Sequence, residues 1–475
     1  MKSEHHRLPD SRRMAAAGAV GYGTSAGPWA WVPTLYFTEG IPYIIVNTIS
    51  VILFKKMGLG NADVALYTSL LYLPWVIKPL WSPLVDILRT KRWWILVMQA
   101  LMALAFALTA FSLPRRTGAE ISPFVWTLVL FYLSALASAT HDIAADGYYM
   151  LALDTHGQSV FVGIRSTFYR IATVFGNGLI VLLAGWLELR TGDVPTAWRM
   201  TMLFCAGLLA LLSLWHLFAL PRVETPAGHS ETAAGEPESS AGNPSSSEVR
   251  PRLSFRQTLR DFLKTFALFF SKPGIGVALA FMLLYRLPEA FSVKMLSPFM
   301  LDGAESGGLG LTTADVGLLY GTVGVIALTL GGILGGLACG RWGLRRMLWP
   351  MALSLALPCG VYLYMAVFQP ASLWLVGGLI ALDQLGYGFG FTAYMLYLIW
   401  FSQGAFKTSH YALCTGFMAL SMMLPGMVAG WMQESLGYVL FFVIVMICCL
   451  ATVGVTFAAR RRIEPSFGMK NTEVQ

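Results

Sequence analysis

Long apolar stretches alternate with short polar breaks along all 475 residues. Crossing a ~30 Å hydrocarbon core takes ~20 apolar residues in a helix. The pattern predicts six such spans, near 29–54, 63–87, 93–113, 124–152, 160–188 and 196–220. A second set follows near 273–300, 312–340, 343–367, 371–401, 408–433 and 436–459. Between the sets lies the polar run AGHSETAAGEPESSAGNPSSSE, within 222–250. Its composition cannot bury a core, so disorder is expected there. Residues 252–271 alternate basic and apolar positions at helical spacing and predict an amphipathic helix on the membrane surface. The expected organisation is a tail (1–28), a six-helix bundle (29–221), a linker with the amphipathic helix (222–271), a second bundle (272–460) and a tail (461–475).

Composition agrees, since 56% of residues are hydrophobic and 12% charged, against about 25% charged in soluble domains. The net charge of +8 does not point to nucleic acid, because the basic residues sit in loops between apolar runs. They are unevenly placed, with 22 Lys and Arg on the side of the termini and linker and six on the other. Positive charge stays inside, so both termini and the linker are expected to be cytoplasmic, in an inner membrane. The first 28 residues lack a compact apolar core before a cleavage site, so the first span is expected to act as an uncleaved signal. The six cysteines fall in or beside apolar runs without a Cys-x-x-Cys pair and read as small buried thiols.

Six spans, a basic linker and six more spans is the layout of the major facilitator fold, an all-α membrane protein of two six-helix halves built from three-helix repeats. The loops SPLVDILRTKRWW and GGLACGRWGLRRML, after spans 2 and 8, both place small residues at a helix end before a basic cluster. A gating role is expected for Lys78, Asp86, Arg89, Lys91 and Arg92, with Arg341, Arg345 and Arg346 as their counterparts. Gly331, Gly332, Gly335, Gly336 and Gly340 read as a helix-packing face, not a phosphate loop, because no strand precedes them.

Ionisable residues inside a bilayer cost roughly 2.5–3.5 kcal/mol at a helix centre and tend to face a cavity or a partner. Here they are Glu39 on span 1, His141, Asp142 and Asp146 on span 4, Arg286, Glu289 and Lys294 on span 7, and Asp383 on span 10. These four spans open the three-helix repeats. Helical spacing aligns Tyr36, Glu39, Tyr43, Asn47 and Ser50 on one face, and Ser138, Asp142, Asp146 and Tyr149 on another. Asp383, Tyr387, Tyr394 and Tyr397 form a third stripe. Tyrosine and asparagine can hydrogen-bond a hydroxyl-rich solute while their bodies stack on it. Spans 4 and 5 form a hairpin turning near residue 156, and equal distances from the turn predict an ion pair between Asp142 and Arg170. Asp146 would then face Ser166, with Arg165 nearby. Proton coupling needs a carboxylate whose surroundings alternate between apolar burial and a cation. Glu39, Asp142, Asp146 and Glu289 are the candidates, and Glu39 has no cation within its own helix turn.

An enzyme is not expected. His141 lies about 100° around its helix from Asp142, no second His-rich span completes a metal site, and neither G-x-S-x-G nor a P-loop is present. A proton gradient is the expected energy source, and no cofactor is expected.

The segments IKPLWSPLVD (77–86), SATHDIAAD (138–146), LLYRLPEAF (283–291), ADVGLLYGTVGV (314–325) and SHYALCTGFMALSMMLPGMVAGWMQESLGY (409–438) resemble the AmpG muropeptide permeases. That family lies in the peptide/acetyl-coenzyme A/drug transporter branch of the major facilitators. Lys78, Trp81, Ser82, Pro83 and Asp86 match its pattern, as do Asp142 and Asp146 in D-I-x-x-D, and Arg286 with Glu289. Arg170 follows a tyrosine, as in the corresponding fifth helix. The resemblance implies proton-driven import of peptidoglycan-derived glycopeptides by a monomer. Departures fall at Glu39 in TEGIP, at Pro288 and at Lys294. Another oligosaccharide or conjugated anion, or a non-transporting sensor of cell-wall fragments, are the alternatives.

Overall fold

The computed structural model describes residues 27–113, 122–153, 155–222, 255–404, 406–465 and 467–468. Most of the expected N-terminal tail, most of the polar linker and most of the loop after span 3 lie outside them. The described residues are helical throughout their long elements, and none of them is in a strand. Nine described helices are long and apolar enough to cross a membrane. One helix, Lys407–Arg460, runs for 54 residues, which at ~1.5 Å per residue is more than twice a bilayer core. It bends at Gly437, whose φ of 74° suits only a residue without a Cβ, and so supplies spans 11 and 12. The remaining two spans are Asn61–Leu70 with Leu73–Leu88 (span 2) and Leu373–Ser402 (span 10). The amphipathic helix is present as Phe255–Phe270. Its Phe269 is buried and stacks on Phe417 of span 11.

Several spans are interrupted, and the sequence explains where. Pro74 lacks an N–H and opens the second part of span 2, leaving Leu71 and Tyr72 at a break. Pro288 does the same in span 7, which divides into Ile275–Leu284 and Leu287–Leu301 around Tyr285 and Arg286. Pro42 in span 1 (Pro28–Lys56) precedes a π-helical turn at Ile45–Ile49. Further π turns occur in span 5 at Phe175–Ile180 and in span 8 at Gly317–Gly324. Such turns widen the helix and release backbone groups.

In the first half, span 4 packs on spans 1, 2 and 3, and span 3 on span 6; in the second, span 10 packs on spans 8 and 9. Gly331 and Gly335 serve the packing face expected of them, whereas Gly336 is exposed and a Cβ at Gly336 or Gly340 would meet nothing within 4 Å, so the face is narrower than the repeat suggests. A Cβ at Gly331 would lie 2.1 Å from the Leu385 carbonyl oxygen of span 10. The halves meet along two seams, span 2 against span 11 and span 5 against span 8. In the second seam the two π turns touch, and a Cβ at Gly321 would come within 1.8 Å of the Asn177 carbonyl oxygen.

Candidate functional site

The first half carries a charged cluster assembled from four spans. Asp142 of span 4 (Ser122–Ala152) pairs with Lys78 of span 2. One turn further along, Asp146 accepts from Arg165 of span 5 at 2.7 Å and from the Tyr36 hydroxyl of span 1 at 3.2 Å. The Arg165 guanidinium also lies over the Tyr36 and Tyr149 rings, at 4.3 and 5.1 Å. Glu39 is buried within electrostatic reach of both aspartates, and its Oε2 has no hydrogen-bond partner. The side chains of Lys78, Asp142, Arg165 and Asp146 stay 18–43% exposed, so the cluster borders accessible space although it lies deep within the spans.

The predicted Asp142–Arg170 pair does not form. Arg170 is exposed, and its Nη1 points to the Thr329 carbonyl of span 8 at 3.5 Å, beside Gly332. The reason is helical phase. Arg165 and Arg170 are five residues apart in span 5, about 140° around the helix at 3.6 residues per turn. With Arg165 turned to Asp146, Arg170 faces the other half. Counting back from a hairpin turn fixes height along two helices but not rotation. Lys78, assigned to the gate from sequence, instead neutralises Asp142.

His141 is also displaced from the expected cavity. It is fully buried, and its Nε2 lies 2.9 Å from Gln99 Nε2. Gln99 Oε1 meets His216 Nδ1 at 3.0 Å, and His216 Nε2 meets the Thr34 hydroxyl at 3.0 Å. This chain ties spans 4, 3, 6 and 1 together on the face turned away from Asp142. Asn47 donates to its own helix at the Tyr43 carbonyl, 3.0 Å away. Tyr43 is half-buried with its ring edge-on to Trp75, at 5.1 Å.

In the second half Arg286 and Glu289 form a bidentate pair, both bonds 2.7 Å. Arg286 donates as well to Tyr387 of span 10 at 2.9 Å and lies 4.8 Å from the Phe391 ring centre. The break at Pro288 makes Arg286 the cap of the following helix and puts Glu289 in its first turn. Asp383 accepts from the hydroxyl of Tyr362 and from Gln384. Glu289, Asp383 and Tyr387 share a cavity of about 10 Å³, the measure of one water. Tyr394 is packed instead in a stack with Phe281 and Tyr285, its hydroxyl donated to the Met282 carbonyl at 2.7 Å. It backs the site, with its ring centre 5.7 Å from the Arg286 guanidinium carbon. Lys294 reaches across to the first half, 3.1 Å from the Thr68 hydroxyl.

Contacts between the halves are strongest on the side opposite the linker, called here the far side. Lys55 pairs there with Asp302 at 2.6 Å and donates to Asn61 at 2.7 Å. Asn61 Nδ2 in turn lies 2.7 Å from Gln433 and 3.0 Å from Tyr438, and Tyr438 donates to Asp302 at 2.6 Å. Glu188 bridges Lys56 and Thr313. On the linker side the expected gate residues engage their own halves. Arg92 donates to the Leu217 and Leu220 carbonyls at the end of span 6, and Arg89 lies over Trp93. The Lys91 stem lies against Gly147, Arg341 over Trp342, and the Arg345 carbonyl accepts from Arg460. Arg346 is exposed, and the Asp86 side chain lies outside the described residues. Among the described residues the inter-half ion pair is thus on the far side, where Lys55 had been read only as part of a charge count. Nothing in one sequence links Lys55 to Asp302, 247 positions away, so only the fold brings them together.

The description "Major Facilitator Superfamily" matches residues 32–402. The chain is 24% identical over 438 residues to the anhydromuropeptide permease of Escherichia coli K12, covering 90% of this chain and 79% of that one. It is 21% identical over 430 residues to "Putative transporter AmpG 2" of Rickettsia typhi, covering 87% and 90%. Among solved structures, the nucleoside transporter NupG superposes with a TM-score of 0.65 at 16% identity, covering 91% of this chain and 99% of that one. At that identity the likeness speaks for the fold.

Proposed function

Because the chain belongs to the Major Facilitator Superfamily, we propose that it imports peptidoglycan-derived glycopeptides by alternating access, coupled to proton entry. It is a membrane transporter of the facilitator type, similar to an anhydromuropeptide permease. The proposal adds the solute, the proton, the direction and the setting: an inner membrane, a monomer, and both termini with the linker inside. The two six-helix bundles, 29–221 and 272–460, would be the moving bodies.

One observation carries the reading. The acids of the first-half cluster find their cations on other spans, Asp142 on span 2 and Asp146 on span 5. Pairs that cross between helices can be separated by helix movement, and separation changes how strongly each carboxylate holds a proton. Glu39 sits among them with one buried oxygen unpartnered, which suits a site that receives a proton from a neighbour. Bonds across the far side and the weaker seam at the linker-side ends of spans 5 and 8 fit a form that releases solute toward the linker. Opening the far side would require Lys55–Asp302 and the Asn61 contacts to part together.

Uptake of labelled anhydromuropeptide into proteoliposomes, with and without an imposed proton gradient, tests the function. Accumulation that follows the gradient is expected; binding without accumulation would instead identify a sensor. Glu39→Gln should still exchange solute but lose gradient-driven accumulation. If that variant accumulates solute as the parent does, Glu39 is not the coupling site.

A further inference from the structure

Lys294 is the one described cation of the central spans that is buried at 1% exposure and makes no ion pair among the described residues. Three other cations there have acids, Lys78 with Asp142, Arg165 with Asp146 and Arg286 with Glu289, while Arg170 is exposed. The contacts of Lys294 are neutral, namely the Thr68 hydroxyl at 3.1 Å and the Tyr72 ring at 4.8 Å. Both belong to span 2, in the other half. A second observation marks the same spot. The Ser69 hydroxyl is fully buried without a hydrogen-bond partner. Ser69 Oγ and the Lys294 side chain converge on Gly426 of span 11, where a Cβ would lie 2.4 Å from the former and 3.1 Å from the latter. The Lys294 stem and an uncommitted hydroxyl therefore pack against one point on the seam, and the Lys294 amine continues past it to Thr68.

The location decides when that point is reachable. Lys294 lies eight residues before Asp302 in span 7, about 12 Å further in at ~1.5 Å per residue. Thr68 lies seven residues beyond Asn61, about 10 Å by the same measure. The pair is thus directly behind the far-side contacts. Parting of the halves there takes Thr68 and Tyr72 away from Lys294 and uncovers an ammonium that has no acid of its own. An uncompensated buried charge is strongly unfavourable, so a solute carboxylate arriving from the far side would fill that role.

We propose that Lys294, with Ser69, is a gated binding site for a carboxylate of the solute. It is covered by span 2 in the present form and exposed when the far side opens. The proposal rests on the transport reading above and narrows it to solutes with a free carboxylate.

The experiment uses the full chain in lipid nanodiscs and two matched solute pairs. One pair is anhydromuropeptide with its stem carboxylates free or amidated. The other is glucuronate against glucose. A charge-assisted hydrogen bond predicts a preference of about tenfold to a hundredfold for the acid. Lys294→Gln should compress that preference to within about twofold, the scale of a neutral contact. Lys294→Arg should keep most of it. Thr68→Val, which removes the resting contact but leaves the ammonium, should keep it as well, separating ligand binding from a mere clip between halves. If glucuronate shows the lysine-dependent preference and neither muropeptide binds, the site stands and the muropeptide reading falls. If the acid preference is absent, or survives Lys294→Gln in both pairs, the proposal is overturned.

Discussion

The two halves of this protein handle buried charge in opposite ways. In the second half Arg286 and Glu289 lie three residues apart on one helix, 7% and 9% exposed, and hold each other through two bonds. No rigid movement of spans can separate them. In the first half Asp142 and Asp146 depend on cations from spans 2 and 5, and the four side chains are 18–43% exposed. Those pairs exist only while the spans keep their present arrangement. The contrast teaches where charge can respond to motion. A local pair keeps its electrostatics through a conformational cycle, whereas pairs made across helices register every shift of one helix against another. The first half is thus equipped to sense the state of the protein, and the second to keep a fixed polar anchor beside Tyr387 and Asp383.

The largest effect should come from the local pair. Arg286→Met leaves Glu289 buried without its cation, which costs about 3–5 kcal/mol of stability. Thermal unfolding in detergent would show it as a large drop in Tm, and the exchange Arg286→Glu with Glu289→Arg should recover part of the loss. A Tm unchanged by Arg286→Met would mean that the pair is not the anchor described. Next comes Lys78→Met, which frees Asp142 in a partly exposed site. Uptake should fall by about a hundredfold, roughly 2.7 kcal/mol of barrier, with a smaller loss of Tm than for Arg286→Met. Equal losses of Tm at the two sites would erase the distinction between anchor and sensor.

Smaller still is the far-side lock. Asp302→Asn weakens the ion pair with Lys55 but keeps a hydrogen-bonding group near Asn61 and Tyr438. A loss of about 1.4 kcal/mol would shift the balance of forms about tenfold toward far-side opening. Labelling of a cysteine placed at Thr68 from the far side would report it, and faster labelling is expected. The smallest effect belongs to Arg170→Ala. Arg170 is exposed with one weak contact to Thr329, so uptake should stay within about twofold, as for most surface changes. A loss as deep as that of Lys78→Met would restore Arg170 to the site from which its orientation removes it.

Much of the site was legible at the level of which helices carry charge. Glu39, Asp142, Asp146, Arg286, Glu289 and Asp383 stand out because an ionisable side chain in an apolar run needs a partner. Pro288 stood out in the sequence only as a departure from the family, and the break it makes in span 7, with Arg286 at the cap, is a finding of the structure. Partners were harder to read. His141 sits beside Asp142 in sequence, yet it belongs to a buried chain with Gln99 and His216, because adjacent residues diverge by about 100° around a helix. Tyr394 shares a stripe with Tyr387 but is turned into the core by contacts with Phe281 and Tyr285.

The sequence by itself determined twelve spans, their grouping into two sixes and the set of helices that carry charge. Each of these follows from local rules: the length of an apolar run, the composition of a linker, the cost of an ion in hydrocarbon. Only the tertiary structure decided that Lys78 and not Arg170 neutralises Asp142. It likewise decided that Lys55 meets Asp302 across the far side, and that Lys294 waits behind that lock without an acid among the described residues. Those outcomes depend on the rotation of each helix about its axis and on the seam between the halves. Both are set by packing among residues far apart in the chain, which no periodicity within a single span records.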